Sequence, residues 1–116
     1  MSVFEPTIVR QDFDPPHGDI ELIVPEDLYF LQGHFPERPI LPGVTQVHWA
    51  ISLSRNALSL KPDFLGIEAL KFHRIIEPLT RLRLVVEYVE SSDKLQFSYT
   101  SELGQHSQGR IVFGEQ

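Results

Sequence analysis

The sequence predicts an α+β fold in which a curved antiparallel sheet wraps round one long helix. Two observations carry this. Apolar residues recur at helical spacing from about residue 43 to residue 60, and nearly everything after them alternates with the two-residue period of strands. One enclosed helix beside a meander of strands is an α+β plan. A third observation marks the centre of the chain: the eleven residues Gly33 to Gly43, just ahead of the helix, hold three prolines and two glycines. Each proline fixes its own φ and pushes the residue before it toward extended geometry, so this loop is stiff.

The elements are expected in the following order. Thr7-Ile8-Val9-Arg10 reads as a first strand, with a turn at Pro15-Pro16-His17-Gly18. Ile20, Leu22 and Val24 alternate into a half-buried strand ended by Pro25, and Pro25-Glu26-Asp27-Leu28 has the composition of a single helical turn. The main helix runs from Pro42 or Gly43 to about Leu60, where Lys61-Pro62-Asp63 stops it. Val44, Val47, His48, Ile51 and Leu58 share one face, and Trp49, Leu53 and Ala57 share another, which predicts a helix largely enclosed by other structure. Phe64 to Glu77 is one long β-run broken at Pro78. Alternating strands follow at residues 81–88, 95–100 and 110–113, with turns at Ser91–Lys94 and Glu102–Gln105.

Composition narrows the function. A chain of 116 residues suits one domain spanning residues 1–116. There is no cysteine, so thiolate chemistry and disulfides are excluded. A net charge of −6 argues against nucleic acid as a partner. Neither a signal-peptide pattern nor a membrane-length apolar run is found, which makes the cytoplasm the expected location. His17, His73 and His106 have no metal-ligand spacing, and His34 with His48 lacks an evident third ligand, so no metal is expected.

Gly33-His34-Phe35-Pro36 followed by Arg38-Pro39-Ile40-Leu41-Pro42-Gly43-Val44 resembles the signature of hotdog-fold 3-hydroxyacyl-[acyl-carrier-protein] dehydratases of the FabZ/FabA type. Phe64-Leu65-Gly66-Ile67, Lys71-Phe72-His73-Arg74 and Glu77-Pro78 resemble the family's next strand, and the order of elements agrees over nearly the whole chain. Within the group, the His48-Trp49 pair and the Ile40–Val44 run are similar to the small ApeI-like dehydratases of aryl polyene biosynthesis. The resemblance implies a hotdog fold, a homodimer, an acyl carrier protein as partner and no cofactor. It also implies elimination of water from a 3-hydroxyacyl thioester to give the trans-2-enoyl thioester. That chemistry needs a base for the α-proton, an acid for the leaving hydroxyl and donors for an enolate-like oxygen. His34 matches the family's catalytic histidine. Gly43 and Val44 fall at the helix N-terminus, where backbone N–H groups can polarise the thioester carbonyl. Phe35 and Trp49 are expected to line the acyl tunnel, although Trp49 on an apolar helix reads as packing ahead of substrate stacking.

His48 departs from the pattern, because it stands where FabZ-like enzymes carry a glutamate. It replaces the carboxylic acid, or it orients substrate while His34 makes both proton transfers, or the site has lost its activity; a fourth reading makes it a satisfied core histidine. A complete His34 loop beside a donor-capable residue favours retained activity. Arg38, Lys71 and Arg74, with Arg81 and Arg83 behind them, are the candidates for docking an acidic carrier protein, against the plain alternative of solvated surface charge. Two other classes stay open. One is a non-catalytic hotdog subunit that binds the carrier or pairs with an active homologue. The other is a thioesterase, which is disfavoured because no Asp or Glu lies between Val44 and Leu60, leaving Glu37 as the nearby carboxylate.

Overall fold

The computed structural model describes residues 5–26 and 40–115. Along the chain these form β1 (Thr7–Asp14), β2 (His17–Ile23), α1 (Gly43–Ser54), β3 (Asp63–Phe72), β4 (Arg81–Val89), β5 (Lys94–Ser101) and β6 (Gly104–Gly114). All six strands join one antiparallel sheet in the order β1-β2-β4-β5-β6-β3. One helix against such a sheet is the hotdog architecture.

Alternation builds the core. Ile20 and Leu22 of β2, Leu84 and Val86 of β4, Leu95, Phe97 and Tyr99 of β5, and Ile111 of β6 all face inward and are buried, in one cluster with Val47, Trp49 and Ala50 of α1. Their strand neighbours carry charge outward, as period two requires. Asp19 and Glu21 of β2 face Arg83 and Arg81 of β4, and Arg10 of β1 joins Asp19 from the other side.

Several boundaries differ from the sequence expectation. Helix α1 ends at Ser54, not Leu60. Residues 55–59 loosen into turns in which Leu60 N–H reaches back to the Arg55 carbonyl (3.1 Å) and Ser59 takes a left-handed backbone (φ 52°). Leu58 and Leu60 nonetheless stay buried, so apolar spacing outlasted the helix. Strand β1 runs to Asp14, past the short β-prone stretch, and β2 already begins at His17. Gly18 belongs to the ladder opposite Phe13, whose ring lies so close that a Cβ on Gly18 would come within 2.5 Å of it. Strand β3 stops at Phe72, because the His73 and Arg74 amides both turn to the His106 carbonyl (2.8 and 3.2 Å). The helical turn expected at Pro25–Leu28 falls mostly outside the described residues.

Candidate active site

The helix is not enclosed on all sides by the described residues. Val44 is 76 % exposed and His48 is exposed beside it, while Trp49, next along the helix, is fully buried. Successive helical residues diverge by about 100°, so a residue beside one that faces the groove turns toward the core. Trp49 is therefore a core side chain within this chain, on the packing side of the two readings given for it, and is not among the residues that line the groove beside α1. His48 is likewise no satisfied core histidine.

The open face of α1 and one side of β3 form a groove of about 430 Å³ lined by Gly43, Val44, Val47, His48, Ile51, Phe64, Ile67, Leu70 and Phe72. His48 supplies the imidazole in an otherwise apolar wall. Phe64, Ile67 and Leu70 stand at odd spacings, which a regular strand would send to opposite faces. Two register slips in the β3–β6 ladder, between Phe64 and Gly66 and between Glu68 and Lys71, bring them to one side. Ala69 takes up the second slip with φ 52°. The β3 lining was missed in the sequence for this reason. The available signal was a strand apolar on both faces, which needs a cover on each.

Gly43 and Val44 open α1. The first helical bonds run from the Thr45 and Gln46 amides to the Pro42 carbonyl (3.1 and 3.2 Å), so the amides of Gly43 and Val44 precede the bonded ladder. Pro42 is the N-cap and supplies no side-chain cap, and the first turn holds no acid that would quench the helix dipole. Gly43 is needed for close approach: a Cβ there would lie 2.5 Å from Cζ of Phe72. Gly43 and Val44, whose amides precede the bonded ladder, thus border an apolar groove that also holds one imidazole, an arrangement suited to a neutral chain ending in a polar carbonyl.

A second hollow of about 300 Å³ adjoins the first through Gly43 and Phe72, and Ile40, Leu41, Gln46, His73, Arg74 and Ile75 complete it. Lys71 and Arg74 are exposed near this side and have no carboxylate partner among the described residues. Arg81 and Arg83 are already paired with Glu21 and Asp19. Of the expected site residues, His34, Phe35 and Arg38 lie outside the described residues, as does Glu37. His106 is buried, with Nδ1 3.0 Å from the Ile75 carbonyl and Nε2 2.6 Å from Ser101 Oγ. Among the described residues, no three His, Asp or Glu side chains come together as a metal site would need.

Residues 11–110 match the model of the ApeI-like family, described as ApeI dehydratase. The chain belongs to that family. It is 39 % identical to the 3-hydroxyacyl-[acyl-carrier-protein] dehydratase FabZ of Clostridium novyi over 69 residues, covering 53 % of this chain and 49 % of that protein. FabZ of Natranaerobius thermophilus is 38 % identical over 65 residues, covering 50 % and 46 %. The chain thus spans about half the length of the curated relatives it matches. Among solved structures, a chain of the dehydratase heterocomplex ApeI:P from Xenorhabdus doucetiae superposes with a TM-score of 0.87 at 29 % identity, over 93 % of this chain and 96 % of that one. An uncharacterized protein from Erwinia carotovora subsp. atroseptica gives 0.78 at 32 % identity, over 92 % and 94 %. No described helix is long and apolar enough to cross a membrane.

Proposed function

We propose that this chain is a 3-hydroxyacyl-[acyl-carrier-protein] dehydratase, working without a cofactor as one hotdog domain and as a homodimer. One observation carries the reading: α1 opens on amides with no backbone acceptor among the described residues, beside an apolar groove, and the same helix face presents the His48 imidazole that a second copy would bring. His34 takes the α-proton. The electron pair moves toward the thioester carbonyl, whose oxygen accepts from the Gly43 and Val44 amides, and then returns to expel the β-hydroxyl. His48 of the partner subunit, as imidazolium, protonates that hydroxyl, or orients it while His34 returns the abstracted proton to it, and either way it leaves as water. The groove's apolar wall suits an extended unsaturated chain, aryl-capped or aliphatic. Lys71 and Arg74, with Arg38, are the docking charges for the acidic carrier, and Lys71 and Arg74 have no carboxylate partner among the described residues.

The homodimer is supported by exposed apolar surface. Phe64, Leu65 and Phe72 of β3 are each about half exposed at a sheet edge whose outer side has no partner strand among the described residues. A second reading, a subunit that completes its site with a different hotdog chain, is favoured by His48 in place of the glutamate and by the heterocomplex in which the ApeI neighbour was solved.

The test is turnover of 3-hydroxyacyl-carrier substrates to the 2-enoyl product, aryl and aliphatic, followed by mass. Wild type is expected to dehydrate, with His34→Ala removing most of the rate and His48→Ala lowering it at least about a hundredfold, the usual contribution of a positioned acid. Loss with His34→Ala alone makes His48 a bystander. A wild type inert on every substrate, but active once a second hotdog chain is added, puts the subunit reading first.

A further inference from the structure

The most heavily bonded polar side chain of α1 has no place in the scheme above. Gln46 is 3 % exposed. Its Nε2 donates to the Leu41 carbonyl (3.2 Å), its Oε1 accepts from Ser107 Oγ of β6 (2.6 Å), and its own carbonyl accepts from the Tyr99 hydroxyl of β5 (2.6 Å). A buried primary amide is tolerated only when both ends are satisfied, and here the acceptor-only Leu41 carbonyl and the hydroxyl of Ser107 set which end is which. Leu41 is held from its other side as well, its N–H donating to the Ile76 carbonyl at 2.8 Å. The neighbouring Ile75 carbonyl is anchored in turn by His106, and His106 by Ser101. A chain of buried and part-buried hydrogen bonds therefore runs from the β5–β6 hairpin to the backbone just ahead of Gly43.

We propose that Gln46 is a positioning residue that fixes the Leu41–Pro42 peptide and so aims the Gly43 and Val44 amides; the inference rests on the dehydratase reading for its rate effect, not for its geometry. Pro42 brings no capping side chain, and the backbone ahead of the helix is held instead by Gln46, which reaches back five residues to donate to the Leu41 carbonyl. Donors that serve a developing oxyanion act only in the right place, and a displacement of about 1 Å can cost about a hundredfold in rate.

The test uses the whole chain with Gln46→Met, which fills the same space without a donor, beside Ser107→Ala, which leaves the bond to Leu41 in place. Two readouts are taken: kcat and KM per folded molecule on the best 3-hydroxyacyl-carrier substrate, and residue-resolved amide hydrogen exchange. Expected for Gln46→Met are a kcat lowered about tenfold or more, a KM within about twofold, and faster exchange at Leu41. Ser107→Ala is expected to lower the melting temperature with a much smaller change in kcat. Should Gln46→Met not fold, Gln46→Asn, a methylene too short for Leu41, takes its place. A kcat unchanged per folded molecule, or a loss no greater than that of Ser107→Ala, overturns the proposal. If the wild type is inert, the dehydratase reading fails by itself, and unchanged exchange at Leu41 in the variant overturns the clamp separately.

Discussion

Trp49 and His48 are neighbours in sequence with opposite fates. Trp49 sits in the core with Leu84, Tyr99 and Ile111, where a large ring removed from water stabilises the fold, whereas His48 stays in the open groove. Truncating the ring removes its transfer energy and leaves a cavity, so Trp49→Ala is expected to cost about 3–5 kcal/mol in chemical denaturation. Any effect on turnover should follow the folded fraction. A variant of unaltered stability with a changed substrate range would return Trp49 to the acyl site. Tyr99 shows the same logic for a polar group: burial pushes its phenol far above the ordinary range, so it remains a hydrogen-bond donor to Gln46.

At the scale of elements, the β1–β2–β4 side of the sheet is laced by ion pairs. The Arg83 guanidinium, hydrogen-bonded to Asp19, holds that carboxyl below its ordinary value of 3.8, with Arg10 adding to the effect and desolvation opposing it. A depressed carboxylate contributes stability above its unfolded pKa and loses that contribution as the pH falls through the folded value. Thermal melts between pH 7 and pH 2 should therefore show a loss beginning below about pH 4. In Arg83→Met part of that acid loss is expected to disappear, and at neutral pH the cost should stay within about 1 kcal/mol, as for exposed pairs generally. Identical pH dependence in both proteins would mean that the ladder contributes nothing measurable.

Over the whole molecule, the open faces of α1 and β3 make association the expected state. Sedimentation is expected to show a dimer, and Leu65→Asp or Phe64→Asp should shift it toward monomer. A wild-type monomer at micromolar concentration would remove the homodimer. Much of this architecture was legible in the sequence, because period-two alternation in residues 81–113 and period 3.6 after Gly43 are both set by burial. The helix end was not: Leu58 and Leu60 keep apolar spacing through turns that are no longer helical. The β3 side of the groove was hidden as well, since the slips at Gly66 and Ala69 reverse the alternation that a reader of pattern relies on. The amides of Gly43 and Val44 were legible from the Pro-Gly start of the helix. The clamp by Gln46 was not, because its partners come from β5 and β6, far along the chain.

The placing of β3 beside β6 has a consequence for how the chain is made. The neighbour that pairs with β3 is synthesised after β4 and β5, with Phe72 opposite Ser107 and Asp63 opposite Gly114, and ribosomes add about 5–20 residues per second. For some seconds the nascent chain carries Phe64, Leu65, Ile67, Leu70 and Phe72 with no strand to pair against. The β4–β5–β6 meander closes through short hairpins and is free to form quickly, while β3 must wait for a contact of high sequence separation. Holdase chaperones meeting this protein during translation would find their most persistent target in the strand that later walls the groove.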